Sequence, residues 1–183
     1  KQLKMGDNVM SILPMAHMYG MSFEFLFEFI CGLHIFYLTR IPSPAIIAEA
    51  FKTVKPVLII SVPLIIEKII KQKVYPKIQT NKMRLLLNMP VLSKKINNKI
   101  CEEVMNAFGG NFYEMIIGGA AINKDIESFL QKIGMPITVG YGATECAPII
   151  AYSDWKTFVP GSCGRAAYHM EVKIDSKDPE NIP

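Results

Sequence analysis

The sequence predicts an α/β domain with a mainly parallel sheet flanked by helices on both faces. Short, nearly continuous apolar runs recur along it, stretches of helical periodicity separate them, and glycine-rich turns follow several of the runs. Strands covered on both faces read as unbroken apolar runs rather than as an alternation, because neither face meets water.

The first run is "NVMSILPM", ending at Met15, followed by "LHIFYLT", "PVLIISVP", "FYEMIIGGA" and "MPITVGYG". Between the second and third, "PAIIAEAFKTVK" places Ile46, Ile47, Ala50, Phe51 and Val54 on one helical stripe. Before the fourth, "KKINNKICEEVMNAFGG" aligns Ile96, Ile100, Val104 and Phe108, with Gly109 and Gly110 as the stop. "NKDIESFLQKIG" carries its own punctuation: Asn123 as cap, Asp125 in the positive first turn, Lys132 in the last turn and Gly134 beyond. Only Lys68 to Pro90 breaks the alternation of strand and helix. No internal repeat is present.

Of the 183 residues half are hydrophobic, which suits one ordinary domain with a core. The chain opens on Lys1 and closes on the polar run "SKDPENIP", so both ends read as cuts through a longer chain. Cys31, Cys101, Cys146 and Cys163 form no CxxC pair, and His17, His34 and His169 are equally scattered. The pattern argues against a disulfide framework and a protein-caged transition metal, and reads as reduced thiols in a cytoplasmic protein. Glu24 and Glu28 interrupt one long apolar stretch, and Pro56, Pro63 and Glu67 the other; neither reaches the roughly 20 apolar residues of a spanning helix.

In an open parallel sheet, ligands sit beyond the carboxyl ends of the strands. Three such ends carry chemistry: "LPMAHMYG" (13–20), "GGAA" (118–121) and "GYGATE" (140–145). Paired glycines ahead of a helix let a ligand approach the main chain and meet free N–H groups; the same pair also serves a plain tight turn. In the third, Tyr141 offers a ring to a planar base, Gly142 leaves room, Thr144 donates to a phosphate oxygen, and Glu145 is a hard oxygen ligand suited to magnesium. A lone glutamate at a strand end also serves as a solvated turn residue, so the joint pattern decides.

That joint pattern resembles the adenylate-forming superfamily of acyl-CoA synthetases, firefly luciferase and peptide-synthetase adenylation domains. "YGATE" is similar to its Tyr-Gly-x-Thr-Glu signature, "LPMAHMYG" to Leu-Pro-x-x-His-x-x-Gly, "GGAA" to its Gly-Gly-Ala turn, and "PGSCGRAAYHMEVKI" to a later Gly-x-x-Gly stretch before a strand. The approach "FGGNFYEMIIGGAAI" resembles long-chain fatty acyl-CoA synthetases in particular. The resemblance implies an ATP- and magnesium-dependent ligase joining a long-chain fatty acid to coenzyme A. It implies that Tyr141 packs on adenine beside Gly142 and Ala143, that Thr144 touches the adenylate phosphate, and that Glu145 coordinates magnesium. Gly118, Gly119 and Ala120 would border the acyl-adenylate, with His17 and Gly20 at the gate between acyl tunnel and coenzyme A. It also implies that residues 1–155 form part of an acyl- and adenylate-binding subdomain of the large N-terminal domain, and that 156–183 begin a smaller β-rich one.

No Ser/Thr/Gly-rich loop ending in Pro-Lys, no Tyr-x-x-Gly-Asp and no late adenylation lysine occurs in these residues. The chain is therefore expected to be the central piece of such an enzyme and to be inactive alone. Three other readings remain: an enzyme with Cys146 as nucleophile and His17 as base, a nucleotide- or lipid-binding α/β module without catalysis, and another adenylate-forming enzyme acting on a different carboxylate.

Charge is lopsided. Lys68 to Lys99 holds nine basic residues and no acid against a total of +4, which leaves the remainder near −5. With the apolar knot from Leu85 to Leu92, this belt suits peripheral docking on the anionic inner face of a membrane, or a solvated helical hairpin with snorkelling lysines. Nucleic acid is not expected, because no set of stacking aromatics accompanies the charge.

Overall fold

The computed structural model describes residues 3–78, 93–173 and 175. Each of the five apolar runs contains a strand: β1 (Asn8–Ser11), β2 (His34–Tyr37), β3 (Leu58–Ser61), β4 (Glu114–Ile117) and β5 (Ile137–Val139). β1 pairs with β2, and β3 with β4 and β4 with β5, all in parallel. The Val57 N–H donates to the Asn8 carbonyl at 2.9 Å, which sets the β1–β2 pair beside the three-stranded sheet β3-β4-β5. The protein is an α/β fold.

Helices fill the crossovers. A π-helical segment (Gly20–Phe27) runs into α1 (Glu28–Ile30) between β1 and β2. Helix α2 (Pro44–Val54) starts where Ser43 Oγ accepts from the Ile46 N–H at 3.3 Å with Pro44 in the first turn. Helix α3 (Pro63–Ile69) continues through a π-helical turn (Ile70–Val74) into α4 (Tyr75–Ile78). Residues 68–78, where the alternation of strand and helix breaks, are thus helical; the knot at 85–92 lies outside the described residues. Helix α5 (Ser93–Ala107) stops at Gly109 and Gly110, both at positive φ, with the bare Gly109 Cα against the Phe51 carbonyl. Helix α6 (Lys124–Lys132) is capped as its sequence predicts: Asn123 Oδ1 accepts from the N–H groups of Asp125 and Ile126 at 3.0 and 3.2 Å.

The core joins Ile59, Met115 and Ile117 of the sheet to Phe51, Phe108 and Leu130 of the helices, all at most 2 % exposed. One expectation fails at the sheet edge. "LHIFYLT" reads as a strand covered on both faces, yet Phe36 and Tyr37 of β2 are exposed. β2 is an edge strand that pairs only with β1 among the described residues, so its apolar composition reflects sheet membership without burial.

"MPITVGYG" also divides in two. β5 ends at Val139, and after Gly140 the chain enters a separate antiparallel sheet of β6 (Tyr141–Gly142), β7 (Ile149–Tyr152) and β8 (Arg165–Ala166), in that order. Thr138 Oγ1 donates to the Ser153 carbonyl at 2.6 Å, and Glu114 Oε1 accepts from Tyr152 Oη at 2.8 Å; together they hold this small sheet against the parallel one.

Candidate functional site

Along β3 and β4 the side chains alternate. Ile59, Met115 and Ile117 enter the core, while Leu58, Ile60, Glu114 and Ile116 line a cavity of about 590 Å³ on the opposite face. Tyr19, Phe23 and Phe27 of the first crossover close one side, and the 140–144 segment with Ile149 and Tyr152 closes the other. The size and largely apolar walls are those of a small-molecule site.

Most of the residues singled out by motif meet here. His17, Gly118, Gly119, Tyr141, Gly142, Ala143 and Thr144 all border the cavity, drawn from three separate chain segments. They stand at the carboxyl ends of β1, β4 and β5, where a parallel sheet presents its loops. Ala120, Gly20 and Glu145 do not border it. Ala120 and Glu145 are exposed beside lining residues, Glu145 in the 3₁₀ turn Thr144–Cys146. Gly20 is buried against the Pro14 carbonyl, where a Cβ would clash. His17 is exposed and its Nδ1 accepts from the Tyr19 N–H at 3.1 Å, so a neutral ring carries its proton on Nε2.

Two glycines are small for reasons internal to the fold. A Cβ on Gly118 would stand 2.9 Å from Tyr19 Oη, and one on Gly142 would overlap the Pro148 carbonyl oxygen. Gly119, at φ +82°, is held in the left-handed region that other residues resist. Tyr19 itself went unrecognised in the sequence. Its hydroxyl reaches the carbonyls of Ser61 and Ile116 at 3.3 and 3.5 Å, bridging the ends of β3 and β4, and burial together with the nearby Glu24 charge raises its pKa far above the usual phenol range.

The loop bearing His17 is anchored by a second group that the pattern showed only as an interruption. Glu24, buried in the π-helical segment, accepts through one oxygen from Ser11 Oγ at 3.1 Å and from the N–H groups of Ile12 and Leu13 at 2.9 and 2.7 Å. Those donors would otherwise be orphaned at the end of β1. Burial lifts Glu24 to a pKa of about 7 despite these hydrogen bonds, which favour the charged form. Glu28, one turn on and 1 % exposed, is pushed up to about 9 by burial and then by Glu24. Glu24 Oε1 and Glu28 Oε2 have no hydrogen-bond partner among the described residues. The signal available in "FEFLFEF" is two acids four residues apart inside an apolar run, a spacing that puts both on one helical face.

Glu114 marks the far end of the cavity. It is buried, accepts from Tyr152 Oη and, at 3.0 Å, from the Trp155 N–H, and burial raises its pKa. Cys146 is exposed and does not border the cavity that holds His17, so the two are not joined as nucleophile and base across that site. No group of three or more potential metal ligands occurs among the described residues. No helix of the described residues is long and apolar enough to cross a membrane.

The family model described as AMP-binding enzyme matches residues 1–183. Long-chain-fatty-acid–CoA ligase 1 of Saccharomyces cerevisiae is 24% identical over 92% of this chain and 26% of its own length. Long-chain-fatty-acid–CoA ligase 2 of Schizosaccharomyces pombe is 29% identical over 80% of this chain and 24% of its own. The chain thus spans about a quarter of the curated relatives it matches. Among solved structures, the N-terminal domain of FACL13 from Mycobacterium tuberculosis superposes with a TM-score of 0.60 over 91% of this chain and 34% of that one, at 16% identity. O-succinylbenzoate coenzyme A synthetase of Bacillus subtilis, in complex with ATP and magnesium ion, gives 0.63 over 93% and 29%, at 17% identity. With the family model covering every residue and the fold shared with these structures, the chain belongs to the AMP-binding enzymes.

Proposed function

We propose that this chain is the acyl- and adenylate-binding part of an ATP-dependent long-chain fatty acid:CoA ligase. The observation that carries the reading is that one cavity is bordered both by the strand-end motifs and by an apolar sheet face. An apolar tail and a nucleotide would thereby share one site, as a carboxylate-activating enzyme requires.

In this reading the fatty carboxylate lies near Gly118 and Gly119 and attacks the α-phosphate of ATP. The bond to the β-phosphate oxygen breaks and pyrophosphate leaves. The thiol of coenzyme A then attacks the acyl carbon of the mixed anhydride and AMP departs. Reacting groups belong to the substrates, so the protein acts by alignment and charge stabilisation. Tyr141, 54% exposed at the cavity mouth, offers its ring to adenine, and Thr144 its hydroxyl to the phosphate. His17 stands where acyl chain and thiol would meet. Glu145 is exposed and forms no ion pair among the described residues, which suits a carboxylate sharing magnesium with phosphates and water. When bound, magnesium neutralises charge on the leaving pyrophosphate.

The test is fatty-acid-dependent AMP release by the full-length enzyme. Tyr141→Ala should raise KM for ATP about tenfold, the loss of roughly 1.4 kcal/mol of ring contact. Glu145→Ala should lower kcat by about a hundredfold or more, as expected of a group stabilising transition-state charge. Release of AMP unchanged in both variants would refute the assignment.

A further inference from the structure

The cavity runs along β4. It begins at the carboxyl end of β4, with Gly118, Gly119 and His17, and passes Ile60, Ile116 and Phe23. It ends at the start of the same strand, with Tyr113, Glu114 and Tyr152. From Gly118 back to Glu114 the strand covers four residues, roughly 13 Å at about 3.3 Å per residue. A fully extended chain advances roughly 3.3–3.6 Å for every three bonds, so the same path holds a straight acyl chain of about twelve carbons.

What stands at that point is polar and fixed. Glu114 is buried, with one oxygen engaged by both Tyr152 Oη and the Trp155 N–H, and Thr138 ties the adjoining segment to Ser153. An alkyl end pressed there would meet a carboxyl group and a phenol already bonded to each other and offer neither a hydrogen bond. A longer tail has to turn aside and gives up its contact with the apolar wall.

We infer that this cavity measures its acyl substrate: it favours straight fatty acyl chains of about twelve carbons, the short end of the long-chain range, with Tyr113, Glu114 and Tyr152 as the stop. The inference rests on the ligase reading, which places the carboxyl group at Gly118 and Gly119. Tyr113 is the residue to test, because Glu114 and Tyr152 also hold the two sheets together, whereas no hydrogen bond of the Tyr113 hydroxyl is present among the described residues.

The experiment measures kcat/KM of the full-length enzyme for saturated acids of about eight to about twenty carbons, in the wild type and in Tyr113→Ala. The wild type should peak near twelve carbons and fall about tenfold by sixteen, and the variant should raise the sixteen-to-twelve ratio about tenfold. A wild-type profile that stays level or rises through sixteen carbons would overturn the stop by itself, whether or not the variant folds. So would a folded variant with an unaltered ratio; in either case AMP release would still uphold the ligase reading. Absence of AMP release with every acid would instead sink the ligase reading and this inference with it.

Discussion

Replacing Glu28 by glutamine should weaken the pH dependence of stability around the first crossover. Glu28 is 1 % exposed, has an oxygen without a partner among the described residues, and is held at a pKa of about 9 against an ordinary 4.5. A carboxyl group whose pKa is higher in the folded than in the unfolded chain binds more protons when folded throughout that interval. Stability therefore falls as pH rises from about 4.5 and levels off above about 9. At about 1.4 kcal/mol per pH unit, the step from pH 5 to pH 8 should cost the wild type on the order of 4 kcal/mol that the neutral amide does not lose. Glu24, at about 7, adds a smaller loss in the lower part of the window and is common to both proteins. Urea unfolding at pH 5, 6.5 and 8, followed by circular dichroism, reads the difference as a diverging midpoint. The glutamine protein should be the more stable by several kcal/mol at pH 8 and within about 1 kcal/mol at pH 5. Parallel curves, or a wild type more stable than the variant at pH 8, would refute the reasoning, since they require a buried anion that is already compensated.

Two further outcomes follow from the packing. Gly118→Ala puts a methyl group 2.9 Å from Tyr19 Oη and should cost about 1–3 kcal/mol by displacing the bridge to Ser61 and Ile116. Combining it with Tyr19→Phe should cost less than the sum of the single changes, by about 0.5–1 kcal/mol in a double-mutant cycle of thermal unfolding; strict additivity would show that the two residues do not share that space. Asn123→Ala removes the acceptor for two N–H groups at the start of α6 and should destabilise by about 1 kcal/mol, while Asn123→Asp retains the cap. Equal losses in the two Asn123 variants, measured by urea unfolding, would show that the cap contributes nothing.

What could be read along the chain is what depends on near neighbours. Strand and helix alternation follows from periodicity over a few residues, so the runs containing β1 to β5 and the stripes of α2, α5 and α6 were legible, as were the Asn123 cap and the Gly109–Gly110 stop. The motifs that border the cavity were legible because each strand end brings its own glycine, hydroxyl or ring. Tertiary structure alone decided what those residues face. That Gly118 is small because Tyr19 stands over it, that Gly142 yields to Pro148, and that Glu24 closes the end of β1 depends on segments that meet only once the sheet has formed. The exposure of β2 and the passage from β5 at Val139 to a second sheet at Tyr141 are of the same kind. An apolar run shows that a segment prefers to leave water, but only the assembled neighbours determine whether anything covers it, and how far a cavity between them extends.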